Sequence, residues 1–167
     1  MVFGLVSKNN LELATIISKL YIYFYRDKWK IVDVRTILRK RKGHEHILLI
    51  KVGRLIKYAN FNRGETLYAR IENGDIVLRK DWYGYPVNIV DTKRNIRLFL
   101  SPLFMALGYK HGDNVVVLVK DGEIRLKNLQ REIEKLKDFE EKIRKEVRGE
   151  TDVGETNQVS DYFIQNT

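Results

Sequence analysis

At 167 residues with a hydrophobic fraction of 44%, the chain is long enough for one ordinary domain or two small ones, each with a packed core. It has no cysteine, which excludes a disulfide framework, a thiolate nucleophile and a cysteine metal site; no apolar run reaches membrane-spanning length and no cleavable signal pattern opens the chain, so a cytoplasmic location without membrane contact is expected. The net charge of +9 is uneven: Arg26 to Arg63 carries twelve Lys or Arg against three Asp or Glu, while Gly149 to Thr167 carries four acids and no base.

Such a basic block suits a polyanion such as nucleic acid, with a solvated surface as the plainer reading. In chain order, Met1–Asn10 reads as an apolar lead-in with Asn10 as a helix N-cap. Leu13, Ile16, Ile17, Leu20, Tyr21 and Phe24 fall at helical spacing, which predicts a helix to about Leu20. Tyr21–Tyr25 is aromatic and β-branched enough to be helix or strand. Trp29–Leu38 fits either a strand paired with Tyr21–Tyr25 or a second helix. It runs into Arg39-Lys40-Arg41-Lys42, the densest cationic stretch. On a loop these four would contact phosphates without reading sequence, or form an ordinary exposed turn. His44-Glu45-His46 has no third ligand at a suitable spacing, so no metal is expected there.

The middle of the chain is a repeat. Gly64–Lys80, GETLYARIENGDIVLRK, lies without a gap over Gly112–Asn128, GDNVVVLVKDGEIRLKN, at an offset of 48 residues. Asn73-Gly74 and Asp121-Gly122 are dipeptides that accept positive φ at both central positions of a type I′ turn, so each copy reads as a β-hairpin. The same offset places His46–Phe61 over Arg94–Tyr109, with Ile50 on Leu98, Val52 on Leu100, Ile56 on Phe104 and Phe61 on Tyr109. Each unit reads as strand, short helical turn, bend, strand, hairpin, strand. In the second, Ser101-Pro102 supplies an N-cap and a first-turn proline, and Gly108 ends the turn.

That order of elements, with Leu107-Gly108-Tyr109-Lys110-His111-Gly112-Asp113 followed by Asp121–Lys127, resembles the SpoVT-AbrB swapped-hairpin family over Ile47–Lys127, about half the chain. The resemblance implies a mainly β fold with helices (α+β), a tandem swapped-hairpin β-barrel closed within one chain or by a homodimer. It also implies DNA binding, in transcriptional regulation or on the chromosome. Basic residues around the leading strands and helices would touch the duplex: Lys51, Arg54 and Lys57 in the first unit, Lys93, Arg94 and Arg97 in the second. The place where the family often carries a helix arginine holds Ile56 in one copy and Phe104 in the other.

The expected organisation is an N-terminal segment over 1–45, the barrel over 46–128 (repeats 46–80 and 94–128), a charged helix over 129–148 and a disordered tail over 149–167. Asp81–Pro86, rich in aromatics, Gly and Pro, reads as an ordered connection between the repeats. Leu129, Ile133, Leu136, Phe139 (or Glu140), Ile143 and Val147 make a narrow apolar stripe suited to docking on the barrel or to a short helix–helix dimer contact, with docking favoured. In the tail, Thr156–Phe163, TNQVSDYF, resembles the PCNA-interacting peptide motif, with Val159 as the aliphatic anchor, Tyr162 and Phe163 as the aromatic pair, and Thr156 in place of glutamine. This implies a second reading, an adaptor that recruits a sliding clamp. Nothing signals an enzyme or a cofactor: there is no nucleophile–base pair and no phosphate-cradling loop, and the acids at the hairpin tips read as exposed turn formers.

Overall fold

The computed structural model describes residues 8–25, 28–92 and 95–149. In chain order these form α1 (Lys8–Tyr25), β1 (Ile31–Thr36), β2 (Leu38–Lys42), β3 (Glu45–Lys51), α2 (Leu55–Tyr58), β4 (Thr66–Glu72) and β5 (Asp75–Arg79). There follow β6 (Tyr85–Thr92), β7 (Asn95–Phe99), α3 (Ser101–Ala106), β8 (Asn114–Lys120), β9 (Glu123–Asn128) and α4 (Leu129–Val147). All strand pairs are antiparallel, in the order β1-β8-β9-β5-β4-β6-β7-β3-β2. The two outermost strands, β1 and β2, are consecutive in the chain with only Ile37 between them. The sheet therefore curls into a nearly closed barrel.

The registers show how the repeat is used. Ile50 of β3 pairs with Leu98 of β7, and these two residues are equivalents at the 48-residue offset. Val77 of β5 pairs with Arg125 of β9, again equivalents. A residue can face its own equivalent only on a two-fold axis, so the two copies are related by an approximate two-fold passing through both contacts. The hydrogen bonds obey it. Val52 N–H donates to Ile96 O at 2.8 Å, and Leu100 N–H to Leu48 O at 3.1 Å. Asn62 N–H donates to Glu65 Oε1 at 2.7 Å, and Lys110 N–H to Asp113 Oδ2 at 2.8 Å.

The barrel interior is built from equivalents: Ile50 with Leu98, Val52 with Leu100, Ile56 with Phe104, Leu67 with Val115, Ile76 with Ile124, Leu78 with Leu126. All are fully or almost fully buried, and each side chain contributes about 1.5–3 kcal/mol by leaving water. A second apolar layer lies outside. Leu20 and Phe24 of α1 and Leu129 and Leu136 of α4 pack on Val32, Val34, Val116 and Leu118, the outward residues of β1 and β8.

Several local expectations change. The N-terminal helix continues through Tyr25, and Asn10 lies inside it rather than at its cap. Tyr21 is 42% exposed, while Tyr23 joins the apolar face. Trp29–Leu38 does supply a strand, but β1 pairs with β8, Thr36 opposite Asn114, and not with Tyr21–Tyr25. The helical face of α1 is buried against that pairing. Ser101 does not cap α3; its hydroxyl accepts from Leu48 N–H instead, at 2.6 Å. Asn73 and Gly74 both take positive φ (52° and 81°), as a type I′ turn requires, but at the second hairpin only Gly122 does (79°). There Gly122 N–H donates to Ala59 O at 2.9 Å, which ties the turn to the end of α2. The apolar stripe of α4 is interrupted, because Val147 is 69% exposed and Glu132 and Glu146 are buried.

Candidate nucleic-acid interface

Strand alternation decides which basic side chains share a face. In the β2–β3–β7–β6 part of the sheet, Leu48, Ile50, Ile89, Ile96 and Leu98 point into the barrel. The residues between them point outward. On that outward face Leu38, Leu49 and Phe99 stand side by side across three strands. Lys40, opposite Ile47, lies on one side of this apolar strip; Lys51, opposite Arg97, lies on the other. Helices α1 and α4 occupy the outward side of β1 and β8 instead.

Lys51 and Arg97 are directly opposed cations. Like charges in that position repel, and neither has an ion-pair partner among the described residues. Among the described residues, Arg97 Nε is buried without a hydrogen-bond partner. An anion placed over the pair would relieve the repulsion.

The run Arg39–Lys42 does not lie on one face. It lies on β2 rather than on a loop, because the Gly43-His44 turn (Gly43 φ 64°) folds it back on β3. Alternation then splits it. Arg39 and Arg41 are in register with Leu48 and His46, on the opposite side of the strand from Lys40. Arg39 N–H donates to His111 Nδ1 at 2.9 Å, and Arg41 Nε to Gly43 O at 3.1 Å. Lys42 stands opposite Glu45. Arg54 precedes α2 and Lys57 lies on it, both exposed. Lys93, Arg94, Val159, Tyr162 and Phe163 lie outside the described residues.

Sequence reasoning missed Arg63. It is exposed and ion-paired with Asp91 at 3.0 Å, and with Lys57 it rims a cavity of about 370 Å³ whose floor is Ile56 and Phe61. Only the fold brings the bend after α2 back beside that helix.

Other cations are used internally. Asp75 and Glu123, expected to be exposed turn formers, are 3% and 1% exposed. A buried carboxylate must be paired. Lys127 Nζ donates to Asp75 Oδ2 at 2.7 Å, and Arg79 Nε to Glu123 Oε1 at 2.8 Å. Arg125 bridges both acids, and Arg131 also binds Asp75. Burial disfavours the Arg131 charge, but the hydrogen bond and charge of Asp75 outweigh it and hold its pKa above the usual value. Arg70 is likewise occupied: its guanidinium lies 4.3 Å from the centre of the Trp82 ring and donates to Tyr83 O, while Trp82 Nε1 donates to Tyr68 O. The connection Asp81–Pro86 is thereby fastened to β4.

Neither a family model, nor a curated protein, nor a solved structure matches this chain. Among the described residues no helix is long and apolar enough to cross a membrane.

Proposed function

We propose that this chain is a nucleic-acid-binding protein: a tandem swapped-hairpin barrel whose outward β2–β3–β7 face holds DNA by its phosphates, in transcriptional regulation or on the chromosome. The observation that carries this reading is the Lys51–Arg97 opposition, unpaired among the described residues, with Lys40 on the same face. Apolar floor and cationic flanks suit a polyanion whose sugars pack where Leu38 and Phe99 lie. The residues at the family's helix-arginine place, Ile56 and Phe104, are 1% and 0% exposed, so contact would come from the sheet face and from Arg54 and Lys57 rather than from those positions. Contacts of this kind position a duplex without reading its sequence.

The test is fluorescence anisotropy of a random-sequence DNA duplex across a salt series. The wild type binds with a steep salt dependence, and Lys40→Gln/Lys51→Gln lowers the log–log slope by roughly 0.9 for each phosphate no longer neutralised. Absence of binding at low salt refutes the reading.

A second reading, recruitment of a sliding clamp by the tail, rests on Val159, Tyr162 and Phe163 in the sequence. Short anchors of this kind bind by filling an apolar pocket. A clamp that binds the wild type and not Tyr162→Ala/Phe163→Ala supports it; a clamp that ignores the wild type ends it.

A further inference from the structure

The approximate two-fold relates the backbone of the two repeats, but it does not relate their surfaces. Across the 48-residue offset, Lys51 at the end of β3 becomes Phe99 at the end of β7. Arg54, just before α2, becomes Pro102 in α3, and Lys57 becomes Met105. Arg97, which faces Lys51, becomes Leu49, which faces Phe99. Three basic positions along one strand end and helix are thus replaced, position for position, by apolar ones. At the helix burial does not demand the change, since Met105 is 68% exposed and Pro102 is exposed as well, whereas at the strand end Leu49 is buried and Phe99 half-buried.

The second repeat has cations of its own, but at other positions. Lys110 and His111 lie at its bend, and Arg39 reaches His111 from β2. None of them replaces the strand-end and helix positions.

From this asymmetry we infer that phosphate contact at the helical corners is one-sided: the first repeat, through Lys51, Arg54 and Lys57, grips the nucleic acid, and the equivalent corner of the second repeat does not. The inference rests on the nucleic-acid reading above and adds a polarity to it. A barrel with two equal corners would take a duplex symmetrically about its two-fold axis. A barrel with one basic corner takes it in a single orientation, with the chain's own direction written onto the complex.

The experiment is a charge-conserving exchange. Lys57→Met/Met105→Lys moves one cation from the first corner to the second and leaves the net charge at +9. Both positions are exposed, and circular dichroism and thermal melting establish that each variant is folded. Binding to a random-sequence duplex is measured across a salt series for wild type, Lys57→Met, Met105→Lys and the exchange. The expected result is that the exchange binds like Lys57→Met, with the log–log slope reduced by roughly 0.9, and that Met105→Lys alone leaves the slope as in wild type. An exchange that restores wild-type affinity and slope overturns the one-sided contact while leaving nucleic-acid binding intact. A wild type that does not bind at low salt overturns the underlying reading, and the polarity with it.

Discussion

Lys127 of the second hairpin places its Nζ 2.7 Å from Asp75 Oδ2 of the first, and Arg79 of the first hairpin binds Glu123 of the second. The two contacts exchange under the two-fold, since Asp75 and Glu123 are equivalents, as are Arg79 and Lys127. Each hairpin therefore neutralises the buried acid of the other. These ion pairs cross the β5–β9 contact, where the repeats meet.

Removing either acid leaves several cations facing one another over a buried position. Asp75→Ala is expected to lower the unfolding free energy by about 3–5 kcal/mol, the usual cost of breaking a buried pair from one side. Arg79→Ala costs less, because the Arg79 side chain is 46% exposed and water takes its place. Urea denaturation measures both. A change below about 1 kcal/mol for Asp75→Ala would mean that the pair is solvated and not buried.

The alternation of β2 makes a separate prediction. Lys40 shares the outward face with Lys51, whereas Arg39 and Arg41 point the other way. Lys40→Ala is expected to reduce the salt slope of duplex binding by roughly 0.9, and Arg39→Ala or Arg41→Ala by less. Equal reductions at all three positions would show that the run acts as the flexible loop that its sequence suggests.

Gly84 lets the connection between the repeats lie on β4. A Cβ there would sit 2.5 Å from the Ala69 carbonyl oxygen, against backbone and with no flexible side chain to yield. Gly84→Ala is expected to destabilise the fold by about 1–3 kcal/mol, as overpacking does. It would also loosen Trp82 from the Tyr68 carbonyl and from Arg70. A changed tryptophan emission together with a lower melting temperature would report this; an unchanged pair of values would place the connection away from β4.

The buried hydroxyl of Tyr109 gives a pH dependence. Burial, only partly offset by the nearby Arg131 charge and a hydrogen bond with Asn128, raises its pKa above the ordinary 10.0. Because the folded state holds this proton more tightly, the associated stability is complete below pH 10.0 and is lost as pH rises through the higher folded value. Tyr109→Phe is expected to flatten the alkaline limb of the stability–pH curve, measured by denaturation at a series of alkaline pH values. An identical limb in the variant would assign the effect to other groups.

Much of this protein was determined by sequence alone. The 48-residue repeat, the two hairpins, the short helices and the long α4 were all legible, because each depends on neighbours along the chain: a turn dipeptide, an alternation, a helical spacing. The pairing of β1 with β8, the burial of Asp75 and Glu123 and the splitting of Arg39–Lys42 into two faces depended on the tertiary structure. They are set by residues tens of positions apart, and a local pattern carries no information about which distant strand or cation will arrive. The same reason separates the charges. In the sequence every lysine and arginine counts toward +9. The fold commits Arg79, Arg125, Lys127 and Arg131 to buried acids and places Lys40, Lys51 and Arg97 together on the outward face of the barrel.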